Sequence, residues 1–215
     1  YERCHTSAYH IDHSVRSHQE QRQDFSLRQP SFLAVSRTMT AAQIGTVFHT
    51  LMQHLNFAQA EREGLPVIEQ KLHDLVRRDI LLQEEADQID PAAVMRFFDH
   101  EIGHRAAKAA TVRKETPFNF LYDWNGNEIM VQGIIDCWFQ DERGLVLLDY
   151  KTNHDLNNIR QRYQRQMDLY RAALESVTEQ RVAEVYLYLF STDLLVDMMS
   201  PTRSEERRVG KECRS

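Results

Sequence analysis

The sequence predicts an α/β domain in which a helical amino-terminal portion precedes a mixed sheet. Three observations lead to this prediction. Apolar residues recur at helical spacing from about residue 40 to residue 110, strand-like runs occupy residues 112 to 152, and a further helix and strand follow. The chain has 215 residues, of which 42% are hydrophobic, and this composition suffices for one domain with a substantial core.

The first predicted element is a helix from Thr40 to Phe57. Its apolar side chains at helical spacing are Ile44, Phe48, Leu51, Met52 and Leu55. Thr40 with Gln43 three residues later matches a capping box, in which the two residues satisfy each other's free amides. The helix would carry the motif G-T-x-x-H, ending at His49. A histidine on such a helix usually packs or faces solvent, so this motif alone assigns no function.

Residues 64 to 110 predict two or three amphipathic helices. One is expected to begin at Asp90-Pro91, because aspartate caps helices and proline fits their first turn. It would carry His100-Glu101-Ile102-Gly103-His104, which matches the H-E-x-x-H signature of zinc peptidases and would place both histidines on one helix face. A glycine inside the motif and the lack of a third ligand at a familiar spacing argue against zinc. We interpret the motif as a coincidence within a structural helix.

Strands are predicted at about residues 112–122, 129–140 and 145–152, with a later strand at 182–191. The second and third flank the turn Asp141-Glu142-Arg143-Gly144, so an antiparallel hairpin is expected there. Because side chains alternate along a strand, Asp149 and Lys151 share one face of the hairpin, whereas Leu148 and Tyr150 point to the other.

This hairpin is expected to gather Asp136, Asp149 and Lys151. Two close carboxylates repel each other and are stabilised by a divalent cation between them. The neighbouring lysine can orient and deprotonate a water molecule or stabilise charge on a phosphorus centre. These residues therefore indicate a metal-dependent phosphodiesterase site, although a D-x-K motif alone also occurs at ordinary hairpin surfaces.

A further helix is predicted from Arg160 to Leu174. Gln166 and Tyr170 lie four positions apart and share one face of it. The candidate phosphate contacts are Arg160, Arg162, Arg165 and Arg171, each with a solvated helix face as the alternative. Since the formal net charge is −6, binding to nucleic acid would require a local basic groove.

Five motifs occur in order along the chain: G-T-x-x-H at 45–49, E-x-P-F at 115–118, G-I-I-D at 133–136, L-L-D-Y-K-T at 147–152 and Q-M-x-L-Y at 166–170. The series resembles the nuclease domain of the RecB family, and more closely that of the AddA (RexA) type found in bacterial helicase–nucleases. The resemblance covers roughly residues 30 to 199. It implies a restriction-endonuclease-like core of PD-(D/E)xK type, with a mixed sheet flanked by helices.

The resemblance also implies a metal site and a catalytic set. The expected metal ligands are His49, Asp136, Asp149 and the main-chain carbonyl of Tyr150. The expected catalytic residues are Asp136, Asp149 and Lys151. Oxygen ligands suit Mg²⁺, with Mn²⁺ as an alternative, and a single histidine is compatible with either ion. Such a metal polarises the phosphoryl oxygen and lowers the pKa of a bound water.

Other residues have secondary roles in the resemblance. Gln166 and Tyr170 match the Q-x-x-x-Y motif, which is expected to position DNA near the metal. Glu115 matches an acidic position whose role stays open, with a place behind the metal ligands as one option. The cysteines are Cys4, Cys137 and Cys213, fewer than the four thiolates of an iron–sulfur cluster, so no cluster is expected.

The resemblance implies DNA ends as substrate and a role in processing double-strand breaks for recombinational repair. It implies an AddB (RexB) type partner in a heterodimer and helicase domains upstream in the same polypeptide. The alternatives are a stand-alone or phage RecB-like exonuclease and a module that guides DNA without cleaving it. No segment reaches the ~20 apolar residues of a membrane span and the cysteines predict no disulfide framework, so a cytoplasmic location is expected.

Three segments are expected along the chain. Residues 1–29 are polar and histidine-rich, and they predict a connector from an upstream domain, with a zinc site as the weaker alternative. Residues 30–202 form the predicted nuclease domain. Residues 203–215 resemble the translation of a short-read sequencing adapter, so we expect a non-native tail without a structural role.

Overall fold

The computed structural model describes residues 39–152 and 156–199. The helices are α1 Ala41–His54, α2 Phe57–Glu63, α3 Leu65–Arg77, α4 Gln83–Ala86, α5 Pro91–Phe97, α6 Glu101–Lys108 and α7 Ile159–Thr178. The strands are β1 Thr111–Trp124, β2 Asn127–Asp141, β3 Gly144–Lys151, β4 Val182–Leu189 and β5 Leu194–Asp197. The predicted amino-terminal connector and carboxyl-terminal tail lie outside the described residues. Within the described part, no helix is long and apolar enough to cross a membrane.

The five strands form one mixed sheet in the order β1-β2-β3-β4-β5. The pairs β1–β2, β2–β3 and β4–β5 are antiparallel, whereas β3 and β4 are parallel. Parallel neighbours require a crossover connection, and α7 provides it here. The predicted class, a mixed sheet flanked by helices with a helical amino-terminal portion, is confirmed.

Two tight turns build the antiparallel part of the sheet. The β1–β2 turn is Asn125-Gly126, with φ angles of 52° and 80°. A type I′ turn needs both of its central residues at positive φ, and Asn-Gly is the sequence that best tolerates this. The β2–β3 turn is tighter than predicted, because Asp141 already pairs with Gly144 and only two residues remain in the loop.

The helical portion is more divided than predicted. Four helices, rather than two or three, lie between residues 64 and 110. The capping box of α1 is confirmed, because the Thr40 side chain accepts from the Gln43 amide while the Gln43 side chain accepts from the Thr40 amide. However, α1 ends at His54, because Asn56 caps a separate helix by accepting from the Gln59 amide.

Helices cover both faces of the sheet. On one face, the buried cluster joins Leu51 of α1 and Phe97 of α5 to Tyr150 and Tyr188 of the sheet. On the other face, Met167 and other buried residues of α7 pack against sheet residues such as Leu147 and Leu187. The central strand β3 is therefore buried between the two helical layers, and its carboxyl end lies between them.

Arg105 of α6 ties the helical portion to the sheet. Its guanidinium donates two hydrogen bonds to the Glu184 carboxylate, at 2.7 and 2.8 Å, and its Nε donates to Asp141 at 2.7 Å. The hydrogen bonds from Arg105 hold the pKa of Glu184 below its ordinary value. One side chain thus connects α6 with both β2 and β4, and a bidentate pair of this kind fixes orientation as well as position.

Replacing Arg105 by methionine should lower the free energy of unfolding by roughly 3 kcal/mol, because two carboxylates lose their shared cation. Chemical denaturation at pH 7 measures this loss. The Glu184 contribution exists above the ordinary pKa of a glutamate, and it should disappear as the pH falls through the lowered pKa. Arg77 is the control, because its side chain is 77% exposed and its partner Asp74 lies on the same helix. Equal losses for Arg105→Met and Arg77→Met would contradict the prediction.

Candidate active site

The candidate site lies at the carboxyl end of β3, where Asp149 and Lys151 share one face as predicted. Lys151 Nζ lies 2.5 Å from Asp149 Oδ2, and the Asp149 side chain is only 1% exposed. Gln166 of α7 donates from Nε2 to Asp149 Oδ1 at 3.2 Å. The ring of Tyr163 lies 5.1 Å from Lys151 Nζ. Tyr163 was not predicted, although its position one turn before Gln166 was a usable signal.

Asp136 reaches the same point from β2. The β2–β3 ladder ends at the pair Cys137↔Leu148, which places Asp136 level with Asp149. Asp136 Oδ2 accepts a hydrogen bond from the Tyr150 amide at 2.8 Å. The Tyr150 amide of β3 therefore donates its hydrogen bond to a side-chain carboxylate instead of a main-chain carbonyl. The predicted convergence of Asp136, Asp149 and Lys151 is present in the fold.

A local change of face in β1 and β2 makes this convergence possible. In β2, Cys137 belongs to the cluster beneath the helical portion, whereas Ile135 belongs to the cluster beneath α7. Residues two apart in a regular strand face the same side, so β2 changes face at Asp136. Opposite it in β1 lies Glu115, which has a φ of 48°. The irregularity turns both acidic side chains toward one point.

His49 of α1 completes an acidic cluster with these two residues. His49 Nδ1 lies 3.4 Å from Asp136 Oδ1 and 3.5 Å from Glu115 Oε1. One ligand atom from each of His49, Glu115 and Asp136 lies within 4.8 Å of the others. Among the described residues, this is the group whose geometry could hold a metal ion. Carboxylate oxygens with one imidazole nitrogen fit Mg²⁺ or Mn²⁺.

The predicted ligand Asp149 lies outside that cluster, because its oxygens face Lys151 and Gln166. Glu115, whose role the sequence left open, lies inside it. Asp149 is nevertheless coupled electrostatically to the cluster: burial and the charge of Asp136 raise its pKa to about 7, and Lys151 only partly offsets this. A cation between Asp136 and Asp149 would relieve that repulsion.

Protonated side chains balance the acidic groups in this form of the site. Burial lowers the pKa of His49, but the charge of Asp136 and the contacts with Asp136 and Glu115 raise it to about 10. Burial also opposes the charged form of Lys151, yet Asp149 and Asp136 raise its pKa above the ordinary value. Burial raises the pKa of Asp136, but His49 lowers it to below the ordinary value. His49 Nδ1 therefore lies between two carboxylates that favour its protonated form.

A close approach of β1 and β2 supports the α7 side of the site. Phe118 faces Gly133 across the two strands, and a Cβ at Gly133 would lie 2.6 Å from the Phe118 ring. The Phe118 ring in turn meets Tyr170 edge-on, with 5.5 Å between ring centroids. Tyr170 is one turn from Gln166, which holds Asp149. The glycine of G-I-I-D and the phenylalanine of E-x-P-F therefore depend on each other.

The H-E-x-x-H segment does not form the single helix that was predicted. The helix that begins at Pro91 ends at Phe97, and His100 is the N-cap of a second helix. His100 Nε2 lies 2.8 Å from Asp193 Oδ1, whereas His104 Nδ1 lies 2.8 Å from Glu61 Oε1. The two histidines contact different carboxylates, and we find no metal cluster there among the described residues.

Comparisons with known proteins show what the chain is similar to. A family model described as the PD-(D/E)XK nuclease superfamily matches residues 16–214. Proteins named as the A subunit of an ATP-dependent helicase/nuclease are similar to the chain. The one from Anoxybacillus flavithermus is 35% identical over 178 residues, which are 80% of this chain and 14% of that protein. The one from Alkaliphilus oremlandii is 37% identical over 181 residues, which are 78% of this chain and 15% of that protein.

The chain therefore matches only about 14% of the length of the curated relatives. A Clostridium botulinum relative of the same name is 35% identical over 181 residues, 78% of this chain. A solved structure described as that of SSO0001 matches 93% of this chain and 82% of its own chain, with a TM-score of 0.36 and 9% sequence identity. The predicted resemblance to the AddA type of helicase–nuclease is confirmed by the sequence relatives.

The contact between Gly133 and Phe118 should appear as a coupling energy. Gly133→Ala should lower the free energy of unfolding by about 1–3 kcal/mol, because the new methyl group overlaps the ring. The same change should cost much less in a Phe118→Leu background, where the ring is absent. Denaturation of the two single variants and the double variant measures this. Gly45→Ala is the control, since its Cβ would make an ordinary 3.4 Å contact in a helix; additive losses would contradict the coupling.

Proposed function

The chain belongs to the PD-(D/E)XK nuclease superfamily, and we propose that it acts as a metal-dependent deoxyribonuclease that hydrolyses phosphodiester bonds. The observation that carries the proposal is the joint position of three groups at the end of β3. Asp149 is buried against Lys151, and Asp136 lies level with Asp149 on the neighbouring strand. Two buried acids beside a lysine fit the D…D-x-K set that phosphodiester hydrolysis by this superfamily uses.

The proposed metal ligands are His49, Asp136, Asp149 and the main-chain carbonyl of Tyr150. Glu115 approaches from β1 and faces the same space. The donor set suits Mg²⁺, with Mn²⁺ as the alternative. When bound, such an ion supplies Lewis acidity and activates a water molecule. His49 has to lose its bridging proton before it can bind a metal, so metal uptake should release protons.

The chain's own residues have separable roles in the proposed reaction. Lys151 stays protonated at neutral pH, since its pKa is raised, and it is placed to stabilise negative charge on the scissile phosphate. Gln166 holds one oxygen of Asp149 and so orients this carboxylate. Burial raises the pKa of Tyr170, so its hydroxyl remains a hydrogen-bond donor for the nucleic-acid backbone.

The substrate and partners are part of the same proposal. We expect the domain to degrade DNA ends, acting on the 3′-terminated strand, during processing of double-strand breaks for recombinational repair. Relatives named for an ATP-dependent helicase/nuclease support helicase domains upstream in the parent polypeptide. An AddB (RexB) type partner in a heterodimer and a cytoplasmic location complete the proposal.

Asp149→Ala and Lys151→Ala should each reduce Mg²⁺-dependent cleavage by at least about 10³-fold, because both change the charge at the reacting phosphate. Degradation of end-labelled single-stranded and double-stranded DNA measures the rates. Lys108→Ala is the matched control, since Lys108 is an exposed lysine at the end of α6. Circular dichroism and thermal unfolding verify that each variant is folded. Cleavage at the wild-type rate by either active-site variant would refute the assignment.

His49→Ala should weaken Mg²⁺ or Mn²⁺ binding by more than roughly tenfold. That is the loss expected for a residue that only supports a metal ligand, and His49 is proposed as a ligand itself. His104→Ala should leave the affinity unchanged, because His104 contacts Glu61 away from the cluster. Isothermal titration calorimetry in two buffers of different ionisation enthalpy measures both the affinity and the released protons. Equal affinities in the wild type and His49→Ala would remove His49 from the ligand set.

A further inference from the structure

A half-buried lysine, Lys114, joins β1 to the junction of α1 and α2, and none of the roles above uses it. Its Nζ donates a hydrogen bond to the main-chain carbonyl of Leu55, the C-cap of α1. The same nitrogen lies 3.8 Å from the centroid of the Phe57 ring, at the start of α2. Leu55 and Phe57 are both buried, so the ammonium group of Lys114 enters an apolar junction.

The contacts of this ammonium group are directional and involve no carboxylate. Burial lowers the pKa of Lys114 to about 8. In the part of the chain that the structure describes, Lys114 contacts a carbonyl oxygen and an aromatic ring but forms no ion pair. The carboxyl end of a helix and the face of an aromatic ring both favour a cation. A methionine would fill the same space without the loss of hydration, so stability alone does not account for a lysine here.

The next residue of β1 reaches α1 at a second point. Glu115 Oε1 lies 3.5 Å from His49 Nδ1. Leu55 follows His49 by six residues, which is about 9 Å along the axis at the ~1.5 Å rise of a helix. Adjacent residues of a regular strand face opposite sides, whereas Lys114 and Glu115 both turn toward α1. Two consecutive side chains therefore attach β1 to α1, one at the end of the helix and one at the metal cluster.

We propose that Lys114 is a positioning residue for the metal site, because it fixes β1 against the end of α1 and so holds Glu115 and His49 at the separation that a metal ion requires. The proposal rests on the proposed nuclease function, since the placement of His49 matters only if His49 is a metal ligand. The φ of 48° at Glu115 is a strained conformation that persists only where surrounding contacts impose it. Lys114 provides such a contact one residue before Glu115, and the hydrogen bond from Trp138 Nε1 to Thr116 Oγ1, at 3.1 Å, provides another one residue after it.

The sign of the change in metal affinity separates positioning from electrostatics. Lys114→Met keeps most of the length of the side chain and removes the ammonium group. On charge alone, loss of a cation near the site would strengthen the binding of a divalent ion. Loss of positioning should instead weaken Mn²⁺ binding by about tenfold, as the loss of a residue that supports a metal ligand does. Isothermal titration calorimetry at pH 7 on the 215-residue chain measures the affinity.

Two further variants distinguish the hydrogen bond from the charge. Lys71→Met is the matched control, because Lys71 of α3 is close enough for its charge to lower the pKa of Lys114. This change removes a positive charge from the same region but keeps the hydrogen bond to Leu55, so Mn²⁺ affinity should not fall. Lys114→Arg is the rescue, because a guanidinium group retains both a cation and a donor. It should bind Mn²⁺ more tightly than Lys114→Met does.

A spectroscopic measurement reports the position of His49 directly. The electron spin-echo signal of Mn²⁺ bound to the wild type should be modulated by the imidazole nitrogen of His49, and His49→Ala should lack this modulation. In Lys114→Met at saturating Mn²⁺ the modulation should be weaker, because His49 no longer meets the ion at the required separation. Denaturation of the metal-free chain verifies that the variant is folded, and a purely structural role would change this measurement alone.

The outcomes separate the positioning role from the function. Suppose that the wild type shows the His49 modulation and cleaves DNA. Folded Lys114→Met that then binds Mn²⁺ at least as tightly as the wild type, with the same modulation, would overturn the positioning role and leave the nuclease proposal standing. Equal losses in Lys114→Arg and Lys114→Met would also overturn it, since the donated hydrogen bond would not explain them.

Lys114→Gln repeats the measurements with a side chain too short to keep the Leu55 contact, and the same loss of affinity is expected. If neither Lys114→Met nor Lys114→Gln folds, Lys114 has a structural role and the proposal is overturned. A wild type that binds Mn²⁺ without the His49 modulation would remove His49 from the ligand set, and the positioning role with it. A wild type that shows the modulation but cleaves no DNA would instead refute the nuclease function.

Discussion

Repulsion among buried carboxylates at the end of β3 is the constraint to which the rest of the structure is adapted. Asp136 and Asp149 lie level on neighbouring strands, and Glu115 faces Asp136 from β1. Charges are costly where little water reaches them, and for this reason the pKa of Asp149 rises to about 7. Each carboxylate lies beside a cationic side chain: His49 of α1 contacts Glu115 and Asp136, and Lys151 contacts Asp149 within β3. A single divalent ion would balance the charge of these carboxylates from one position.

The sheet is irregular at one pair of opposite positions in β1 and β2, and this irregularity brings these groups together. A non-glycine residue at positive φ costs on the order of 1–3 kcal/mol, and Glu115 adopts this conformation opposite Asp136. The cost is tolerated because buried clusters on both faces of the sheet fix β1 and β2 on either side of the break. Gly133 and Phe118 add a close contact three residues beyond it. The strained backbone at Glu115 is therefore explained by its effect, which is to point the Glu115 and Asp136 side chains toward the same place.

The features that the sequence predicted are local ones. Strand positions, the capping box of α1 and the face shared by Asp149 and Lys151 all follow from short-range periodicity and turn chemistry. The change of face at Glu115 was not predicted, because a glutamate at positive φ has no sequence signature. The contact of Gln166 with Asp149 depends on how α7 crosses between β3 and β4. The spacing of residues along the chain does not predict this geometry. The tertiary arrangement of the site thus came from the structure, while its residue types came from the motifs.

Two short motifs in this chain have different surroundings in the fold, and the difference is physical. In H-E-x-x-H, a Cβ at Gly103 would overlap the carbonyl of Phe97, so this glycine permits the tight junction of α5 and α6. His100 and His104 are then held by Asp193 and Glu61, carboxylates on different elements. In D-x-K, by contrast, the motif meets a second buried acid, and the pKa of its own aspartate is raised. A motif indicates chemistry when the fold leaves its charges buried and mutually unfavourable, because a bound cation or substrate then stabilises the site.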